Sequence, residues 1–223
     1  WIFVHVGVLN DLCNDAVELL QKKRTEQYHR ECSKPSLEPA DSNAVSNTNP
    51  LLCVAVSSVE DAQAAVAAGA DVIYFAGLHM PSVDEIAIVK KQCQSYGTSL
   101  YLSTPRIIKN GEMKDIFWLL EEARECSGLL VANMGIIGMA SEKEIPFVID
   151  APLNIFNHHS CSFLKNLGAR RVTASAELTL DELGKIADGC SGLECIVEGN
   201  FEVMVSEYCP LSHTSGCSDS CGE

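Results

Sequence analysis

From residue 51 onward the chain repeats one unit, a short and almost wholly apolar segment followed by a stretch with helical spacing. The apolar segments are LLCVAV (51–56), VIYFAG (72–77), SLYLST (99–104), LLVAN (129–133), FVID (147–150), RVTAS (171–175) and LECIVEG (193–199). Strands apolar on both faces must be covered on both faces, the condition of parallel strands joined by helical crossovers. Seven such units, recurring roughly every 18–30 residues with right-handed connections, predict most of a parallel barrel. The expected fold is therefore α/β, an incomplete TIM-type (β/α)8 barrel of about seven parallel strands.

Helix signals agree with that rhythm. Ser58 with Asp61, Ser82 with Glu85 and Thr179 with Glu182 have the spacing of N-terminal capping pairs, and Gly69, Gly97 and Gly168 stand where a left-handed stop is wanted. Helices are predicted after Ser57-Ser58-Val59-Glu60, over 83–96, 112–126, 158–167 and 179–188, with a short one after Asn133. A doubly wound open sheet is the competing architecture. No G-x-G-x-x-G run follows any strand, which favours the barrel.

Upstream the pattern differs. Residues 1–9 (WIFVHVGVL) read as a strand and Asn10 to Arg30 as a helix with Leu12, Ala16, Val17, Leu19 and Leu20 on one face, an N-terminal strand–helix appendage. Residues 33–50 are rich in Pro, Ser and Asn and read as a linker, which divides the chain into 1–32, 33–50 and 51–223. The sequence opens on Trp1 and ends two residues after Cys221, so it reads as a piece of a longer frame.

At 223 residues and 47% hydrophobic content the chain can bury one substantial core. A net charge of −14 opposes non-specific binding to phosphates, so an RNA substrate would need a further, upstream domain to hold it. No apolar run approaches the roughly 18 residues of a membrane span, and residues 1–9 lack the flanks of a signal peptide. A non-membrane protein is expected.

Eleven cysteines are dispersed along the chain. Cys53 and Cys195 lie in apolar runs and Cys93, Cys126 and Cys190 in helical ones, where thiols behave as small core hydrophobes in an intracellular, reducing compartment. A plastid or other organelle would also suit this composition. Cys209, Cys217 and Cys221 differ. Their C-x7-C-x3-C spacing after the last strand suits a thiophilic metal or iron–sulfur centre, against the alternative of buried or transiently paired thiols. His213 between them is a weaker candidate ligand, and the adjacent His158 and His159 diverge too far along a helix to share one metal.

In a parallel barrel, chemistry sits at the carboxyl ends of the strands. That rim carries Arg106 after strand three, Asn133 after four, Asp150, Asn154 and Asn157 after five, Ser175 and Glu177 after six, and Glu198 and Glu207 after seven. Arg106 could clamp a carboxylate or phosphate, or pair with a rim acid. Asp150 and Glu177 are the candidates for acid–base work, and Asn133, Asn154, Asn157, Glu198 and Glu207 for substrate binding. Each could instead cap a helix. No G-x-S-x-G, H-E-x-x-H or radical-SAM C-x3-C-x2-C run is present.

These residues resemble peptidase family U32, the collagenase-like protease family, and within it the second barrel segment of longer members with an inserted domain. The resemblance rests on Val54-Ala55-Val56-Ser57-Ser58-Val59-Glu60-Asp61-Ala62, Ala67-Ala68-Gly69-Ala70-Asp71, Ile73-Tyr74-Phe75-Ala76-Gly77 and Thr104-Pro105-Arg106-Ile107. It continues through Ala132-Asn133-Met134-Gly135, Asp150 with Leu153-Asn154-Ile155-Phe156-Asn157, Phe163 to Gly168, Ser175-Ala176-Glu177-Leu178, and Glu207-Tyr208-Cys209-Pro210. Residues 1–32 then resemble the tail of the preceding or inserted domain. Strand two departs from the pattern, ending in Phe75-Ala76-Gly77 where relatives often have a glycine pair.

The resemblance implies a partly open TIM-type barrel and, in family members of known chemistry, oxygen-independent hydroxylation of RNA bases or of an aromatic quinone ring. It implies a [4Fe-4S] cluster on Cys209, Cys217 and Cys221 with a fourth ligand outside this chain, prephenate as a hydroxyl donor, and a partner barrel or subunit. A cluster supplies redox chemistry, whereas nothing in the sequence supplies a nucleophile with its base, so hydroxylation is expected ahead of proteolysis. A peptidase and a non-catalytic substrate-binding barrel are the alternatives.

Overall fold

The computed structural model describes residues 3–28, 49–76, 80–200, 204–205, 208–209 and 213. It divides into two compact units, Trp1–Glu38 and Pro39–Glu223. In the first, helix α1 spans Val6–Glu26. The strand expected over residues 1–9 is thus corrected: from Val6 the chain is already helical, and the His5 side chain accepts a hydrogen bond from Gly7 N at 3.2 Å as the cap. Among the described residues no strand pairs with this segment, and a lone exposed strand gains no ladder bonds that would hold it against the helix. No residue of α1 is buried.

The second unit is a seven-stranded parallel sheet in sequential order, β1 (Cys53–Val56), β2 (Val72–Phe75), β3 (Ser99–Ser103), β4 (Gly128–Val131), β5 (Phe147–Ile149), β6 (Val172–Thr173) and β7 (Leu193–Glu194). Between them run α2 (Val59–Ala67), α3 (Val83–Tyr96), α4 (Met113–Arg124), α5 (Met134–Glu142), α6 (His158–Asn166) and α7 (Leu180–Ala187). Each strand follows its predecessor without a reversal of order, so the sheet curls progressively in one direction. The result is an incomplete (β/α) barrel, as the alternation of apolar runs and helices predicts. The last two strands are shorter than their apolar runs suggest, with two residues each.

Period-two alternation sorts each strand into two layers. Ile73, Phe75, Leu100, Leu102, Leu129, Val131, Phe147, Ile149 and Val172 pack outward against Val66, Ile86, Val89, Ile116, Leu119, Leu120, Ile136 and Leu164 of the helices. Val72, Tyr74, Tyr101, Leu130 and Val148, with Cys53, form a separate inner cluster. The outer layer holds most of the buried apolar surface, and a fully buried Leu or Ile there contributes about 1.5–3 kcal/mol.

Local chemistry fixes the helix starts. Ser82 and Thr179 form reciprocal capping boxes with Glu85 and Glu182, and Ser58 Oγ accepts from Asp61 N at 3.0 Å. Backbone N–H groups, then the hydroxyls, of Ser82 and Thr179 hold the Glu85 and Glu182 carboxyls below the usual carboxylate range. Gly97 closes α3 in the left-handed conformation at φ 74°. Gly128 opens β4 at φ 138°, and a Cβ there would overlap the Pro146 carbonyl oxygen.

Two outcomes follow for stability. Gly128→Ala is expected to destabilise the barrel unit by about 3 kcal/mol or more in urea unfolding, because it combines a strained φ with a backbone collision. Thr179→Ala should cost about 1 kcal/mol. A carboxyl depressed in the folded state stabilises above its ordinary pKa and ceases to as pH falls through the folded value. The cost of Thr179→Ala should therefore shrink when unfolding is measured below pH 4.

Candidate active-site rim and interior polar cluster

The loops at the carboxyl ends of β3, β4 and β5 bring Arg106, Asn133, Asp150, Asn154 and Asn157 to one end of the barrel. Asn133 caps α5, its Oδ1 accepting from Gly135 N at 2.8 Å, and its Nδ2 donates to the Arg106 carbonyl at 3.2 Å. This bond ties the β3 loop to the β4 loop and sets where the exposed Arg106 side chain starts. Asp150 is half-buried at the end of β5, with Oδ1 accepting from Ala151 N at 2.7 Å. Asn154 is exposed in the left-handed region at φ 55°, ending the short 3-10 turn Ala151–Leu153. Asn157 caps α6 through Ser160 N at 2.9 Å.

Ser175 is buried and accepts from Glu177 N at 3.3 Å, while the Glu177 and Glu198 side chains are exposed. The rim residues thus share an end of the barrel, and Asn133, Asp150 and Asn157 also do the capping work their types suit. Glu207, Cys217 and Cys221 lie outside the described residues. Cys209 is exposed, and the Tyr208 and His213 rings beside it stand 4.9 Å apart. Among the described residues, no three His, Cys, Asp or Glu side chains are grouped to hold a metal ion. His158 and His159 meet only as a ring pair at 3.8 Å.

Among the described residues a second polar constellation lies away from the rim. Inside the barrel, the Glu194 carboxylate of β7 accepts from Tyr74 Oη of β2 at 2.6 and 2.8 Å, from Arg171 Nε, and from Thr173 Oγ1 of β6 at 3.3 Å. Cys53 Sγ of β1 approaches the same carboxylate at 3.6 Å. Arg171 Nη2 donates to Tyr74 Oη at 3.0 Å, and its guanidinium lies 5.2 Å from the Tyr101 ring centre, a cation–π distance. Tyr101 in turn meets Tyr74 edge-on, at 5.9 Å and 65°.

Burial and neighbouring groups shift Tyr74, Arg171 and Cys53 in this cluster. Burial, then the Glu194 charge, pushes the Tyr74 phenol well above its usual range, so it remains a donor. Burial opposes the Arg171 charge, but the bonds to Tyr74 and Glu194 outweigh it and raise its pKa. Burial and the Glu194 charge push Cys53 up to about 11. A thiol so held is the reverse of an activated nucleophile. The signal was present in the sequence: Arg171, Thr173 and Ser175 share one parity on an otherwise apolar strand, and Glu194 interrupts another.

A curled parallel barrel with a polar carboxyl-end rim and a charged interior clamp defines a (β/α)-barrel protein. The model of Peptidase family U32 matches residues 57–223, and the chain belongs to that family. Among solved structures, the chain is similar to a 3-hexulose-6-phosphate synthase at 12% identity and a TM-score of 0.45, over 61% of this chain and 70% of that one.

Breaking the clamp on one side strands a buried charge. Arg171→Met alone should cost about 3–5 kcal/mol in urea unfolding, while the Arg171→Met, Glu194→Leu double variant should recover most of it. A thiol raised in the folded state contributes stability that is complete below its ordinary 9.0 and lost as pH rises through about 11. Cys53→Ala should accordingly flatten part of the alkaline decline, with Cys126, also raised to about 11, among the groups that retain the rest.

Proposed function

We propose that this chain is the barrel segment of an iron–sulfur-dependent, oxygen-independent hydroxylase acting on an aromatic ring, with RNA bases as the favoured substrate. The observation that carries the reading is the run of three cysteines, Cys209, Cys217 and Cys221, downstream of β7 at the end of a U32 barrel. The donors fit a [4Fe-4S] cluster in kind: they are thiols, the ligand such clusters take, and Cys209 is exposed rather than packed in the core. Cys209, Cys217 and Cys221 would hold it with a fourth ligand from elsewhere. Bound there, the cluster would supply the electron transfer that hydroxylation without oxygen needs.

The chain's own side chains bind and orient. Arg106, exposed at the rim and anchored through its carbonyl by Asn133, suits the carboxylates of a donor such as prephenate or a phosphate of RNA. Asp150, half-buried at the mouth, and Glu177 would take or return a proton. With a net charge of −14, the chain needs a further domain or a partner barrel to grip RNA. Proteolysis is less favoured, because among the described residues the carboxylate-bonded thiol, Cys53, is held protonated and the two histidines of α6 meet only each other.

The reading is tested by purifying the full-length protein without oxygen and measuring iron and labile sulfide. About four of each per chain are expected, lost in Cys209→Ser and in Cys217→Ser but kept in Arg106→Met, which should instead lose at least tenfold in hydroxylation of RNA. Iron-free protein, or iron retained in both cysteine variants, would overturn the proposal, and cleavage of gelatin by the iron-free protein would favour the peptidase.

A further inference from the structure

Cys161, on α6, and Cys190, just after α7, are joined in a disulfide with their Cα atoms 6.2 Å apart. The sequence suggests for Cys190 the role of a core thiol. It is indeed buried, at 5% exposure, with Cys161 at 0%, but the two sulfurs meet each other. We propose that this pair is a reversible dithiol–disulfide site that locks α6 to the approach of β7, and so to the strand that carries Glu194. The proposal stands apart from the hydroxylase reading and needs no cluster.

The covalent link spans the part of the barrel where the strands are two residues long. Helix α7 buries one residue, Ile186, and leaves Leu180 86% exposed. Beyond it, Gly192 at φ 73° turns the chain so that its carbonyl accepts from Val172 N at 3.0 Å, two residues before Glu194. Lys165 of α6 reaches the Arg170 carbonyl at 2.7 Å beside that turn. With the bond made, α6 and the 190–194 segment are one unit. With it broken, the segment is held by Ile186, by Leu193 against the core, and by the two-residue strand β7 with the Glu194 bonds to Tyr74, Arg171 and Thr173.

Access and isolation both suit a switch. A helix with one buried side chain opens locally at low cost, which lets a reductant reach the buried sulfurs. Exchange requires a thiolate, and four other barrel thiols are poor sources of one: Cys53, Cys93 and Cys126 are pushed up by burial, and the exposed Cys195 by partial burial and the Glu194 charge. The pair therefore exchanges with external dithiols in preference to its neighbours. In reduction the S–S bond breaks and two S–H bonds form, the two electrons and two protons coming from an external dithiol that becomes a disulfide.

The test uses the whole protein equilibrated with oxidised glutathione or with excess dithiothreitol, then quenched in acid and alkylated under denaturing conditions. Digestion with trypsin and a glutamyl endopeptidase separates Cys190 from Cys195, because Glu194 lies between them. The oxidised sample should yield a Cys161–Cys190 cross-linked peptide, and the reduced one should carry an alkyl group on each. Amide exchange across residues 180–194 should speed up at least tenfold on reduction, with Tm falling by about 5–10 °C. In Cys161→Ala both responses to dithiothreitol should vanish. Alkylation of both cysteines in the oxidised wild type would overturn the proposal, as would a bonded pair whose reduction leaves exchange over 180–194 unchanged. Both readings come from the wild type and hold even if the variant does not fold.

Discussion

A part-buried carboxylate ties the two ends of this incomplete barrel's sheet across its interior. Seven parallel strands in sequential order leave β1 and β7 as the two edges of a curled sheet, and Glu194 reaches across the interior from β7 to Tyr74 on β2 and Cys53 on β1. An unpaired Glu in that position would be untenable, so Arg171 supplies the opposite charge, and Thr173 and Tyr74 fill the remaining acceptor sites. The inner layer of Tyr101, Leu130 and Val148 then packs beside a polar clamp rather than a continuous apolar plug. Because the clamp joins residues 120 positions apart in sequence, its formation fixes the curl that places every strand end.

That curl gives the two ends of the barrel different work. At the carboxyl end, the loops are held by short side chain to backbone bonds from Asn133, Asp150 and Asn157, so Arg106 projects from a braced loop. In the interior below them, burial and the Glu194 charge push the Tyr74 phenol and the Cys53 thiol up. The rim loops and the Tyr74, Arg171 and Glu194 side chains of the interior clamp all lie within residues 57–223, the stretch that matches peptidase family U32.

Much of this was legible in the sequence because it is carried by local chemistry. Apolar runs gave the seven strands, and Ser82-Glu85, Thr179-Glu182 and Gly97 gave helix ends to within a residue or two. Residues 1–9 misled because the apolar residues at 4, 6 and 8 mimic a strand, while helix or strand is decided there by whether a partner strand exists. The clamp left a trace in the parity of Arg171, Thr173 and Ser175, but its pairing was hidden for a related reason. Arg171 and Glu194 lie 23 residues apart and look like solvent-facing charges until the parity of β6 and β7 turns both inward. The Cys161–Cys190 contact depends likewise on how α6 and α7 pack. The rim residues could be named from their place after each strand, but their capping bonds could be seen only in three dimensions.

The account depends on β2 and β7 meeting inside the barrel, and a double-mutant cycle between Tyr74→Phe and Glu194→Gln measures that contact directly. A coupling of about 1–3 kcal/mol in unfolding free energy is predicted for side chains that share a buried hydrogen bond. Strictly additive effects would mean that the two side chains do not touch in the folded protein, and would contradict the arrangement described here.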